Sequence, residues 1–189
     1  MKRIAIFASG SGSNAEKIVN YFESSQQISV DFFLTNNAQA GIIERGKKLG
    51  VPTIVFDKKT FTRTDKIVNI LKKQGIDWVI LAGFLWLIPD NLIKAYPNRI
   101  INIHPALLPK YGGQGMWGHF VHEAVLANKE TESGITIHFV NEHYDEGKII
   151  FQAKCEIAAN DSAEDIAAKV QVLEHKHFPE VIEQLVLAQ

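Results

Sequence analysis

The amino-acid sequence predicts an α/β fold of three layers, in which an open, mostly parallel twisted sheet lies between helices and carries an antiparallel C-terminal extension. Three observations predict it. Short apolar runs alternate with segments of helical period from residue 2 to residue 128, the pattern of parallel strands joined by right-handed crossovers. Two strand-like runs, 134–140 and 148–157, then follow one another without a helix between them, as antiparallel neighbours do. At 189 residues the chain has the length of one domain, 1–189, with one sheet and one cleft. The implied topology is Rossmann-like.

Residues 2–8 form the first predicted strand, continuously apolar at its centre and therefore covered on both faces. It stops at Ser9-Gly10-Ser11-Gly12-Ser13-Asn14, and a helical pattern follows through Ile18, Val19 and Phe22. Strand, glycine-rich turn and helix in succession set bare backbone N–H groups and the positive end of a helix dipole in front of an anion, for which a phosphate is the obvious guest. The glycine spacing is neither GxGxxG nor the P-loop, which leaves a plain tight turn as the other reading. A second strand is expected at 29–34, a helix at 41–49 stopped by Gly50, a third strand at 51–56, and a third helix at 64–73 ended by Gly75. Residues 78–82 are the fourth strand, with Trp78 a core residue. The apolar stretch after it, Phe84-Leu85-Trp86-Leu87-Ile88, either folds back onto the core or forms one wall of a pocket for a flat aromatic ligand. Pro89 suits the first turn of a short helix reaching Tyr96. Residues 120–128 read as a further helix. Ser162 caps the last one with Asp165 at the capping-box position, and Pro179 is expected to break it.

Residues 99–104 read as a buried strand that carries two polar groups to its end. Period-2 alternation puts Asn102 and His104 on one side and Ile101 and Ile103 on the other, and Pro105 terminates the strand. The pair is either a bland strand exit or a set of donors aimed at a carbonyl oxygen, at the end of an open α/β sheet where ligands bind.

Composition narrows the partners. With 20 Lys+Arg against 21 Asp+Glu there is no basic footprint for nucleic acid. The single cysteine, Cys155, reads as a small core residue; it cannot pair within the chain, which fits a reducing compartment. No apolar run has the length of a signal core or a membrane span. The expectation is a soluble cytoplasmic protein, monomer or homodimer, with small-molecule partners and neither nucleic acid nor membrane. His119 and His122 fall near one predicted helix edge without the further partners a metal site needs, so no metal is expected. His138, inside a strand, is expected to be a structural, hydrogen-bonded histidine.

Several segments together resemble one family, the folate-dependent glycinamide ribonucleotide formyltransferases. They are Gly10-Ser11-Gly12-Ser13-Asn14, Leu81-Ala82-Gly83-Phe84, Asn102-Ile103-His104-Pro105 with Leu107-Leu108-Pro109-Lys110, Gly134 through Val140 with Asp145-Glu146-Gly147, and Val170-Gln171 with Glu174-His175. The resemblance implies the formyltransferase fold, 10-formyltetrahydrofolate as co-substrate, and the primary amine of 5-phosphoribosylglycinamide as acceptor, in purine biosynthesis. It implies that Gly12, Ser13 and Asn14 hold the acceptor's phosphate and that Gln171 and Glu174 contact its ribose and glycinamide end. Leu85, Trp86, Leu87 and Ile88, with Asn141, Glu142, His143, Tyr144 and Asp145, would enclose the pterin, and Arg63 would approach the glutamate tail. Asn102, His104 and Asp145 would be catalytic. Amine attack on a formamide carbon makes an oxyanion, for which Asn102 and a protonated His104 can supply donors. A carboxylate beside the imidazole favours its charged form, so Asp145 is expected to raise the His104 pKa above about 6.5 and to handle the amine's proton. The stretch Tyr111-Gly112-Gly113-Gln114-Gly115-Met116-Trp117-Gly118-His119 is longer than the family's compact version and is expected to form a flap over the acceptor site.

Rival readings share part of this pattern. A 10-formyltetrahydrofolate hydrolase or methionyl-tRNA formyltransferase would use the same Asn-x-His-Pro and Asp chemistry, with an added N-terminal or basic C-terminal domain that the sequence does not show. A non-catalytic nucleotide-binding module or a dinucleotide-dependent reductase would leave Asn102, His104 and Asp145 unexplained, and the first loop lacks the third glycine a dinucleotide needs.

Overall fold

We describe residues 1–188 of the protein from a computed structural model. Among them, seven strands form one sheet: β1 (Lys2–Phe7), β2 (Ile28–Thr35), β3 (Thr53–Val55), β4 (Trp78–Leu81), β5 (Ile100–His104), β6 (Glu132–Phe139) and β7 (Ile149–Glu156), in the order β3-β2-β1-β4-β5-β6-β7. The first five pair in parallel, β6 runs antiparallel to β5, and β7 antiparallel to β6. This is the expected architecture. Strand order reverses beside β1, which has β2 on one side and β4 on the other.

The described helices are α1 (Ser13–Phe22), α2 (Ile42–Leu49), α3 (Lys58–Arg63), α4 (Lys66–Lys73), α5 (Asp90–Ala95), α6 (His119–Ala127) and α7 (Ala163–Leu187). The pleat of each strand divides its apolar residues between two cores. Ile4, Ile6, Ile80, Ile101 and Ile103 pack with Ala15 and Ile18 of α1, Val125 of α6 and Ile166, Phe178 and Ile182 of α7. Ala5, Phe7, Val79, Leu81 and Ile100 pack with Phe61 of α3, Ile67 and Leu71 of α4 and Leu92 of α5. Trp78 is fully buried, whereas Cys155 is only half-buried at the margin of the first core. Burying a Val, Leu, Ile or Phe side chain contributes about 1.5–3 kcal/mol, so the continuous apolar strands hold both layers at once.

Three sequence expectations are corrected. Residues 58–63, not predicted as helix, form α3, because Asp57 accepts a hydrogen bond from the Thr60 N–H at 2.6 Å and caps it. β3 covers only Thr53–Val55 rather than 51–56; Pro52 has no N–H to give and contributes only its carbonyl, to Phe33 N–H at 2.9 Å. α7 does not break at Pro179. An interior proline costs about 3 kcal/mol through its missing N–H and its clash with the preceding turn. Phe178, Pro179, Val181, Ile182 and Val186 are all buried, and that packing outweighs the cost.

The turn between β6 and β7 is built around Gly147. A Cβ on this residue would stand 1.6 Å from the Phe139 carbonyl oxygen, so only glycine fits without moving the backbone. Gly147→Ala is expected to displace the turn and destabilise the protein by roughly 1–3 kcal/mol, the usual cost of overpacking. Thermal unfolding checks this, and an unchanged midpoint would refute it.

Candidate active site

The carboxyl ends of β1, β4 and β5 open onto a cavity of about 750 Å³ at the reversal of strand order, where ligands bind in open α/β sheets. Residues 9–14 line it after β1, 82–85 after β4 and 102–105 at the end of β5; the loop 113–118, α6 and α7 complete it.

At one end lies the N-terminus of α1. Gly12, immediately before the helix, has φ 75°, and a Cβ there would meet the Ile42 Cβ at 2.8 Å, so glycine is required on both counts. No side chain caps α1, which leaves first-turn N–H groups without an intrahelical partner beside the cavity. Arg45 braces the turn, its Nε–H donating to Ser11 O at 2.8 Å while its guanidinium pairs with Glu16. α7 is tied to the same turn: Asn14 Nδ2 donates to Glu174 Oε2 at 2.9 Å, and Gln171 Nε2 reaches Ser13 Oγ at 3.4 Å. Gly12, Ser13, Asn14, Gln171 and Glu174 are thus gathered although the chain separates them by more than 150 residues. Burial raises the Glu174 carboxyl above its ordinary pKa, and the Asn14 hydrogen bond only partly offsets this.

At the other end, β5 delivers Asn102 and His104 to Asp145. Asn102 Nδ2 lies 3.1 Å from His138 Nε2 and 3.4 Å from Asp145 Oδ1. His104 Nδ1 is 3.5 Å from Asp145 Oδ2, and its Nε2–H donates to Tyr111 O at 2.7 Å. Gly113 N–H donates to Asp145 Oδ2 at 3.0 Å, which ties the base of the glycine-rich loop to the carboxylate. Asp145 itself has φ 56°, a left-handed conformation that aspartate tolerates better than most residues. Burial pushes its carboxyl up, but the His138 ring, the charge of His104 and the Gly113 N–H together prevail and hold its pKa below the usual value.

Residues 2–182 match the formyl transferase family. The chain belongs to that family. It is 44% identical over 187 residues to the chloroplastic phosphoribosylglycinamide formyltransferase of Arabidopsis thaliana, covering 96% of this chain and 64% of that protein. With phosphoribosylglycinamide formyltransferase of Bacillus subtilis strain 168 it shares 37% identity over 190 residues, covering 98% and 95%. The crystal structure of glycinamide ribonucleotide transformylase 1 from Symbiobacterium toebii superposes with a TM-score of 0.90 at 32% identity, covering 100% of this chain and 89% of that one. The chain therefore spans a little under two-thirds of the chloroplast relative's length and nearly all of the Bacillus one.

Not every site residue expected from the sequence lines the cavity. Leu85 and Tyr144 do. Trp86 instead packs edge-on or tilted against Phe56, Phe61 and Phe84, and Ile88, 3% exposed, belongs to the second core, so the apolar stretch is partly wall and partly core. Leu87, Asn141, Glu142 and His143 lie off the cavity, as does Arg63, exposed at the end of α3. Residues 113–119 also line it.

The expectation of a raised His104 pKa is corrected. Burial lowers it and outweighs the attraction of Asp145 and the bond to the Tyr111 carbonyl, with His138 lowering it further. Sequence reasoning missed the size of this burial because it depends on the loop after Lys110 closing over the ring. His138 is the hydrogen-bonded histidine expected, but its position beside Asn102 was not foreseen. Its Nδ1–H donates to Phe139 O at 2.8 Å, and its Nε2 lies 3.1 Å from the Asn102 amide nitrogen and 3.5 Å from Asp145 Oδ1. The signal was in the register: β6 is antiparallel to β5 with His138 opposite Asn102.

Proposed function

We propose that the chain transfers the formyl group of 10-formyltetrahydrofolate to the primary amine of 5-phosphoribosylglycinamide, giving the formylated glycinamide ribonucleotide and tetrahydrofolate in purine biosynthesis. The observation that carries the reading is one cavity joining an uncapped helix N-terminus, bound to α7 through Asn14 and Glu174, to the Asn102, His104 and Asp145 cluster. An anion site within reach of an oxyanion site fits a phosphorylated amine meeting a formamide. The names of the relatives carry the same acceptor and the same transferred group.

In this reading the N–H groups after Gly12, with Ser13 and Asn14, take the phosphate, and Gln171 and Glu174 take the sugar and glycinamide. Leu85 and Tyr144 flank the pterin. As the amine attacks, charge develops on the formyl oxygen. The Asn102 N–H held by the long 3.4 Å contact to Asp145 is the one free to turn to that oxygen, because 3.4 Å marks a weak bond. The positive charge of His104 settles against it once protonated. Asp145, ionised because its pKa is low, receives the amine's proton directly or through water and passes it towards the departing folate nitrogen.

The deciding experiment follows deformylation of 10-formyl folate by the purified protein with and without phosphoribosylglycinamide. Turnover that requires the acceptor is expected. Turnover that ignores it would replace the transferase reading with that of a 10-formyltetrahydrofolate hydrolase, an activity that has no use for the phosphate cradle.

A further inference from the structure

Three histidines are buried among the described residues: His104, His122 and His138. Two of them are committed to protein partners. His104 gives its Nε2–H to Tyr111 O and turns Nδ1 to Asp145, while His138 is held between Phe139 O and Asn102. His122 differs. It stands on α6, 6% exposed, lines the cavity, and its Nδ1 is buried without a hydrogen-bond partner.

That orphan nitrogen fixes the tautomer. A buried N–H without an acceptor is rarer in folded proteins than an acceptor without a donor, so the proton belongs on Nε2 and the unpaired atom is a lone pair. Nδ1 is sealed inside, whereas Nε2 is neither buried unpaired nor engaged by a protein partner, so it is the nitrogen that this cavity-lining ring can offer to the cavity. Burial and the neighbouring His104 both lower the His122 pKa, so the ring stays uncharged at neutral pH. The resting geometry also leaves a vacancy in the chemistry. Both nitrogens of His104 face protein acceptors, and of the Asn102 N–H bonds only the weaker is free to be exchanged.

We infer that His122 is a further catalytic residue of the formyl transfer proposed above, its neutral Nε2–H donating a hydrogen bond to the formyl oxygen as that oxygen becomes an oxyanion beside Asn102. The inference rests on that function. As the amine's lone pair forms the new C–N bond, the carbonyl π pair moves to oxygen. When the intermediate collapses the pair returns, and the bond to the folate nitrogen breaks with its electrons leaving on that nitrogen. His122 keeps its proton throughout.

The test compares His122→Phe, which fills the space without a donor, with His122→Gln, whose Nε2 can stand near that of the imidazole. His122→Phe is expected to lower kcat on the order of a hundredfold, the usual loss for one oxyanion donor, with KM for both substrates little changed; His122→Gln should recover part of the rate. A wild-type kcat in His122→Phe overturns the inference. So does equal loss in both variants accompanied by a lower thermal midpoint, which marks a structural role. A second measurement needs no turnover. In ¹⁵N-histidine-labelled protein, NMR should show His122 neutral with its proton on Nε2, and the Nε2 resonance should move when 10-formyl folate is added. A proton on Nδ1, or an Nε2 that does not respond, overturns the inference even if the wild-type protein proves not to transfer formyl groups, an outcome that would count against the proposed function itself.

Discussion

Asn102→Ala and His104→Ala are each expected to cut formyl transfer on the order of a hundredfold or more while the protein still folds. The two losses differ in kind. Asn102 supplies a donor that does not titrate, so Asn102→Ala should lower the rate uniformly across pH. Removing it leaves His138 Nε2 and Asp145 Oδ1 without the amide that lies between them at 3.1 and 3.4 Å. His104 supplies charge rather than a free N–H, because both of its nitrogens face protein acceptors. Its pKa lies below the ordinary value, so in the resting enzyme the ring is mainly neutral at pH 7, and the growing oxyanion draws the proton onto it. The fall in rate as pH rises through the His104 pKa should therefore be present in wild type and Asn102→Ala and absent in His104→Ala. Steady-state rates between pH 5 and 9 check this. Near-wild-type rates in either variant would remove that residue from the mechanism.

The layer architecture was legible because its signals are local. β1, β2, β4 and β5 each place apolar residues on both faces, and glycines or polar clusters punctuate the strands, so the alternation of strand and helix implies a parallel sheet. Short or marginal elements were not legible: β3 ends early and α3 depends on one capping bond at Asp57. Pro179 misled for a different reason. A local rule about helix interiors lost to tertiary packing that no window of residues displays. In the candidate site, side chains from β5 and from the turn after β1 were legible because strand ends and glycine turns fix their direction. In the sequence alone His122 reads as a histidine without the partners of a metal site and His138 as structural. What each one faces is decided by the packing of α6 and by the β5–β6 register, both contacts between distant segments. The electrostatics were misjudged for a related reason, since proximity of opposite charge can be guessed from a motif whereas desolvation needs the closed loop over the ring.

Asp145→Asn is expected to lower turnover by roughly a hundredfold or more, the range for loss of a positioned proton acceptor, and to move the pH profile. The substitution removes the charge and keeps the shape, at the loss of the weak 3.4 Å acceptor for Asn102. Asparagine tolerates the left-handed φ of 56° as aspartate does, and its side-chain oxygen can still accept from Gly113 N–H. What disappears is a carboxylate that stays ionised well into acid and sits 3.5 Å from His104 Nδ1. In the wild type that carboxylate raises the His104 pKa against the larger lowering by burial. Removing it leaves burial unopposed by charge, so the His104 pKa falls further. A rate that depends on protonated His104 is then lost at lower pH than in wild type, and the variant's residual activity is displaced towards acid. Two measurements separate this from a folding defect. The thermal midpoint at neutral pH should change far less than the rate does, and NMR titration of His104 should show its midpoint lowered relative to wild type. A His104 titration that is unmoved, or moved upward, would show that Asp145 does not govern the charge of this histidine.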